Sequence, residues 1–278
     1  MEAYTDFAAV YDTFMDETPY EVWGNFVVSL IEKYGVSKPS ASSDQKAEDY
    51  DTLEDSEAAL AEERNLVVEL GCGTGSFTQE MAKRGYDMVG IDLSSDMLNI
   101  ARNKAAQNGL NIMYLEQDMR ELDLYCTAGT IVSVCDSVNY LLEDEDVIET
   151  FKLVNNFLFP KGVFIFDFNT LHKYRDVIGD TTIAESRENC SFIWENYYHE
   201  EDHINEYDLT IFAMCDEEKE LFRRSVETHY QRGYTLDEMK NFVDKAGLEF
   251  ITAIDADTHE EPTGDSERIY IVARESGK

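Results

Sequence analysis

Three glycines at two-residue spacing, Gly71, Gly73 and Gly75, stand between a short apolar run and a stretch of helical character. Lacking Cβ atoms, such residues let the backbone turn sharply and come close to a ligand. The dinucleotide-binding pattern G-x-G-x-x-G would need glycine at position 76, where the chain has Ser76. No Lys follows the loop, so it lacks the cation of a triphosphate-binding loop. Glu69, two positions before the first glycine, suits a ligand bearing a positive ammonium rather than phosphates. Asp92 lies about twenty residues beyond the loop, where a carboxylate in a βαβ unit can accept from both hydroxyls of a ribose. Ser94 and Ser95 are already placed to cap the following helix. Asp118 either accepts from an adenine amino group, with Met119 packing on the ring, or is an ordinary turn residue.

A second group of candidates lies farther along. Cys135, Asp136 and Asn139 belong to a segment running to Tyr140 after a fourth apolar run. Cys135 is either an inert buried thiol or a residue that touches the ligand without reacting. In the stretch Glu227–Arg232, alternation puts Glu227, His229 and Gln231 on one face of a strand, which could point at a substrate. His229, His172 and Tyr198 are the candidates for a general base. His229 could equally be a structural histidine.

The elements that must position these residues read as strands alternating with helices. Strands are predicted at Leu66–Leu70, Met88–Ile91, Asn111–Leu115, Thr130–Cys135 and Val163–Phe168, with helices between them. That pattern predicts a doubly wound, mostly parallel α/β sheet. The strands at Leu248–Ile254 and Arg268–Ala273 have only about a dozen residues between them, including Pro262 and Gly264. They are expected to pair as an antiparallel hairpin that closes a seven-stranded sheet. Three strands, roughly 191–199, 204–214 and 221–232, are expected to form a small antiparallel insert leaving the carboxyl edge, where open sheets bind ligands. The expected domains are a helical cap (1–35), an acidic connector (36–63), a ligand-binding domain (64–180 and 234–278) and the insert (181–233) as a lid. Phe7, Val10, Tyr11 and Phe14 mark one cap helix, and Val22 to Ile31 another capped by Gly35. A helical turn near 56–63 would interrupt the connector.

Composition mainly excludes. The chain has 58 acidic against 23 basic residues, a net charge of −35. Such a field repels phosphate backbones and anionic lipid, which argues against nucleic-acid and membrane partners. The five cysteines include no Cys-x-x-Cys pair, and no metal site is expected. No run approaches the roughly twenty apolar residues of a membrane span. Nor does the N-terminus read as a signal peptide, so the cytoplasm is the expected compartment.

The block Val67-Val68-Glu69-Leu70-Gly71-Cys72-Gly73-Thr74-Gly75, with Asp92, Asp118 and the closing hairpin, resembles class I S-adenosylmethionine (SAM)-dependent methyltransferases. It is similar above all to small bacterial enzymes with an N-terminal Tyr-x-x-Phe-Ala-x-x-Tyr-Asp segment and a β-rich insert. The resemblance implies SAM as cofactor. Glu69 and the loop with Cys72 would hold its methionine tail, Asp92 with Leu93 the ribose, and Asp118 with Met119 the adenine. It also implicates Tyr11, Tyr20 and Trp23, with packing as the alternative for Trp23. Cys135, Asp136 and Asn139 would lie near the sulfur. Enzymes that methylate nucleic-acid bases often carry Asn/Asp-Pro-Pro-Tyr in that place, and this chain does not. A small-molecule methyl acceptor and a monomer or homodimer are therefore expected. The competing expectations are a SAM-binding regulatory module without turnover, an RNA methyltransferase and an NAD-linked oxidoreductase.

Overall fold

The computed structural model describes residues 8–39, 52–216 and 219–278. The chain opens with α1 (Ala8–Phe14) and α2 (Tyr20–Tyr34). Phe7, expected on the first helix, lies outside the described residues. In α2 the stripe Val27, Leu30 and Ile31 is buried, and the Gly35 N–H closes the helix on the Ile31 carbonyl at 2.8 Å.

The stretch expected to be a connector is structured where it is described. Helix α3 (Thr52–Asn65) runs directly into β1 (Leu66–Leu70) and lies against the next strands of the sheet. Its Ala and Leu residues favour helix despite the acidic composition. Ser37, buried, donates to or accepts from Thr130 at 2.8 Å and bonds the Arg64 carbonyl at 3.0 Å. A Cβ on Gly129 would fall 1.7 Å from that same carbonyl, so only glycine lets the end of α3 come this close.

From β1 the alternation continues with α4 (Ser76–Lys83), β2 (Asp87–Asp92), α5 (Ser95–Gln107) and β3 (Met113–Glu116). It goes on through β4 (Ala128–Ser133), α6 (Asp144–Phe157) and β5 (Leu158–Asn169). After β5 come β6 (Thr182–Ser186), β7 (Cys190–His199), β8 (Ile204–Asp216) and β9 (Leu221–Arg232). The chain ends with α7 (Leu236–Lys245), β10 (Glu249–Asp255) and β11 (Arg268–Arg274). The seven-stranded sheet has the order β10-β11-β5-β4-β1-β2-β3, and β11 runs antiparallel to both neighbours. The closing hairpin expected from the short 256–267 link is therefore present. Strand β5 begins earlier than the expected Val163, with Pro160-Lys161-Gly162 inside it beside a register irregularity and Lys161 at φ 65°.

Helices cover both faces of the central strands, so β4 and β5 are apolar on both sides. On one face Phe151 of α6 meets Phe164 and Phe166 with ring centroids 5.2 and 4.9 Å away, all fully buried. Burying each such side chain contributes about 1.5–3 kcal/mol. The packing of β5 fixes the height at which its last residues, Asp167 and Asn169, present polar groups to the carboxyl edge.

The second sheet has the order β6-β7-β8-β9, one strand more than the alternation pattern indicated. The added strand, β6, pairs with β7 from Thr182–Glu195 to Ser186–Ser191. It is short and mostly exposed, so it carries no buried period. The inner face of this sheet buries Tyr207, Leu209 and Ile211 against Val10 and Phe14 of α1. Helix α1 therefore lies between the insert and the glycine loop.

Candidate functional site

A cleft of about 520 Å³ opens at the carboxyl ends of β1, β2, β3 and β4. That is within the usual range for a pocket that encloses a small ligand. Its floor is the turn from β1 into α4. Gly71, Gly73 and Gly75 have φ of 70, 52 and 73°, a region that L side chains rarely adopt. A Cβ on Gly71 would meet the Ser137 hydroxyl at 2.4 Å, while Gly73 faces open cleft. Gly75 does not line the cleft. It is packed beneath α5 against Tyr114, so its part is to let the loop and helix close together.

Glu69, at the end of β1, is 2% exposed and still lines the cleft. The Thr78 hydroxyl donates to its carboxylate. Burial pushes the Glu69 carboxyl up to about 8, with the Asp92 charge adding to the effect. An acid held in this way is stabilised by a cationic ligand group, and so the site fits an ammonium.

Asp92 holds the loop from the other side. One carboxylate oxygen accepts from the Gly73 N–H and the other from the Ser94 N–H, both at 2.8 Å. Each oxygen keeps a further lone pair that can accept from a ligand hydroxyl. Burial raises the Asp92 carboxyl despite these bonds. Leu93 follows it, exposed along the cleft wall. Ser94 provides the cap of α5, accepting from the Met97 N–H at 3.3 Å.

Asp118 and Met119 line the far end of the cleft. Asp118 also accepts from the Arg120 backbone N–H at 2.9 Å and pairs with its guanidinium at 2.6 Å, which lowers its carboxyl below the ordinary value. The pairing leaves Asp118 charged and fixed at the start of a short helical turn, Met119–Glu121.

At the opposite end Tyr11, Tyr20, Cys135 and Tyr140 line the cleft. Cys135 and Asp136 both have positive φ, 65 and 56°. Fully buried Asp167 holds them there, accepting from their N–H groups at 3.0 and 2.7 Å. Burial and the neighbouring carboxylates raise the Cys135 thiol, so it is an unreactive wall.

Several residues singled out from the sequence lie elsewhere. Asp136 turns its carboxylate away from the cleft, accepting from Asn169 at 3.0 Å and Gln231 at 2.8 Å. Asn139 is a structural tie, donating to the carbonyls of Asn169 and Arg232 and accepting from the Asn169 N–H. Trp23 is not on the cleft lining; it packs edge-on to Tyr20 with the Arg268 guanidinium 4.4 Å from its ring centre. His172 pairs with Asp176 one helical turn on, at 2.9 Å, and the Tyr198 backbone N–H donates to Asp180 at 2.9 Å; neither residue lines the cleft. His229 is buried one layer behind Tyr140, bonded to its hydroxyl at 3.2 Å.

Sequence reasoning missed a clasp over the loop. Asp12 of α1 accepts from Thr74 at 2.6 Å and pairs with Lys104 of α5 at 2.7 Å, and Lys104 also donates to Ser76 at 2.8 Å. Asp12 closes the Tyr-x-x-Phe-Ala-x-x-Tyr-Asp segment, but nothing in that segment shows its partners, and only the fold brings it over residues 74–76.

A family model described as "Methyltransferase domain" matches residues 67–162, which include every described cleft residue except Tyr11 and Tyr20. "Putative methyltransferase YqeM" of Bacillus subtilis (strain 168) is 32% identical over 276 residues, covering 98% of this chain and 97% of that protein. A S-adenosylmethionine-dependent methyltransferase from Clostridium acetobutylicum ATCC 824 superposes with a TM-score of 0.78 at 23% identity, covering 99% of this chain and all of that one. CalS10, an amino pentose methyltransferase from Micromonospora echinaspora, superposes at 0.66 with 16% identity and 99% of each chain covered. The chain belongs to the methyltransferase family of its Bacillus relative and has the fold of the S-adenosylmethionine-dependent methyltransferases.

Proposed function

We propose that the protein transfers the methyl group of SAM to a small amine-bearing molecule, with an amino sugar or sugar nucleotide as the preferred class. The observation that carries the cofactor half is buried Glu69 beneath the glycine loop, an acid raised by burial at the floor of a cleft of about 520 Å³. In this reading Glu69 and the loop hold the ammonium of the methionine tail. Asp92 accepts from the ribose hydroxyls, and Asp118 with Met119 meets the adenine. SAM supplies an already activated methyl group on a positive sulfur. The protein's own contribution is chiefly alignment of the acceptor, which leaves proximity as the main source of acceleration.

The acceptor half rests on the other end of the cleft. Tyr11, Tyr20 and Tyr140 provide flat, half-polar walls beside Cys135, suited to a small ring rather than to a polymer. The net charge of −35 argues against a phosphate backbone as the acceptor. The amino pentose specificity of CalS10 is in keeping with this class. Residues 181–233 act as the lid on the acceptor side and α1 as the cap that crosses the loop.

The test is methyl transfer from radiolabelled SAM to a panel containing a thymidine-diphosphate amino hexose, glucosamine and a simple primary amine. Label recovered in one of these products supports the reading. SAM binding without transfer to any of them would leave a binding module in its place.

A further inference from the structure

An amine drawn in by an acidic protein arrives protonated, and its nitrogen attacks only after losing a proton. The cleft wall has a group able to receive it. Tyr140 ends the helical turn Ser137–Tyr140 and lines the acceptor end of the cleft. Its hydroxyl is 2.8 Å from the Tyr207 hydroxyl and 3.2 Å from His229 Nδ1. Behind it the groups continue in a line into the insert. His229 is 2% exposed and stacks on Tyr207, with ring centroids 4.8 Å apart and planes 9° apart. Its Nε2 is 3.4 Å from the carboxylate of Glu227, which is 6% exposed.

The register explains the alignment. Tyr207 pairs with His229 and Leu209 with Glu227, so the period of two puts all four side chains on the inner face of the sheet. A buried carboxylate, imidazole and phenol placed in series are costly to desolvate, and their order runs outward from Glu227 to the cleft. With Nδ1 accepting from Tyr140, the neutral ring carries its proton on Nε2, towards Glu227.

Resting on the methyltransferase reading above, we infer that Tyr140 is the catalytic residue that takes the acceptor's proton. It passes its own to His229, which Glu227 orients. The balance is complete within the site. The acceptor N–H bond breaks and leaves its pair on nitrogen, and the proton goes to the Tyr140 oxygen as the Tyr140 proton moves to His229 Nδ1. That nitrogen pair forms the new N–C bond, and the pair of the broken C–S bond stays on sulfur, which becomes neutral. His229 ends positive beside Glu227. Among the described residues the titratable groups facing His229 are Tyr140 from the turn, Tyr207 from β8 and Glu227 from β9.

The experiment uses the full chain with the same panel of amino hexose nucleotide, glucosamine and primary amine, taking whichever turns over fastest. Tyr140→Phe is expected to lower kcat about a hundredfold or more while SAM affinity, read by calorimetry, stays within about twofold. His229→Asn keeps an acceptor for the Tyr140 hydroxyl but cannot take a proton. It is expected to lower kcat and to flatten the acid-side fall of the kcat–pH profile, with KM for SAM unchanged. This variant also stands in if Tyr140→Phe fails to fold. Wild-type kcat in Tyr140→Phe, or a wild-type pH profile in His229→Asn, overturns the relay and leaves the methyltransferase reading intact. A wild-type protein that binds SAM but methylates no panel member overturns the relay together with the amine acceptor. A protein that does not bind SAM overturns the cofactor reading instead.

Discussion

Replacing Glu69 by Gln isolates the cost of keeping an acid at the base of the glycine loop. The carboxyl is raised from an ordinary 4.5 to about 8, chiefly by burial. The folded protein therefore holds this proton to higher pH than the unfolded chain. The stabilising contribution is fully present below about 4.5 and is lost as pH rises through about 8. Within that window each pH unit removes about 1.4 kcal/mol, so the whole interval amounts to roughly 5 kcal/mol at most. For a chain of this size that corresponds to a melting temperature lower by up to about 10 °C. Gln has the same shape and its amide oxygen can accept from Thr78, but it has no proton to lose. The assay is thermal unfolding of both proteins without ligand across about pH 5 to 8. Wild type should fall steadily relative to Glu69→Gln as pH rises, and saturating SAM should flatten that difference because its ammonium favours the charged acid. Parallel melting curves for the two proteins would show that Glu69 is not held protonated by burial.

Three further outcomes follow from the same geometry. Gly71→Ala combines a left-handed backbone cost of about 1–2 kcal/mol with overpacking against Ser137 of about 1–3 kcal/mol, whereas Gly73→Ala carries only the first. Thermal unfolding should show Gly71→Ala lowering the melting temperature about twice as far, with Ser137→Gly recovering part of the loss. Lys104→Met removes the ion pair to Asp12 that spans the loop, and such half-exposed pairs contribute about 0.2–1 kcal/mol. SAM should dissociate up to about fivefold faster, read by stopped flow, and the effect should shrink in high salt. His172→Ala should leave kcat and KM unchanged in the labelled-SAM assay, because His172 pairs with Asp176 and does not line the cleft.

Legibility from sequence followed burial. Leu66–Leu70 and the helix Asp144–Phe157 were readable because both-face burial and a single apolar stripe each impose a period on residue type. The closing hairpin was readable from a link too short for a crossover helix. Helix α3 was obscured because its acidic surface hides the Ala and Leu residues that fold it, and β6 because an exposed edge strand has no buried period. At the site, Glu69, Asp92 and Asp118 were recognisable from their positions at strand ends, which backbone geometry alone determines. Asp136 and Asn139 were adjacent in sequence to the cleft, yet beyond the positive φ at Cys135 and Asp136 their side chains bond Gln231 and the Arg232 carbonyl of the insert. The parts contributed by distant segments had no local signal. Asp12 over Thr74, and Tyr140 against His229, are separated by 62 and 89 residues and meet only when the sheets pack.

The central claim, that the cleft binds SAM through the acids at the strand ends, is tested most directly by calorimetric titration of SAM into wild type and Asp92→Ala. Removing a charged acceptor of ligand hydroxyls costs about 1.5–3 kcal/mol. Wild type is expected to bind SAM clearly, with affinity weakened by about tenfold or more in Asp92→Ala and no competing affinity for NADH. No heat with SAM, equal affinities for the two proteins, or NADH bound in preference would contradict the claim.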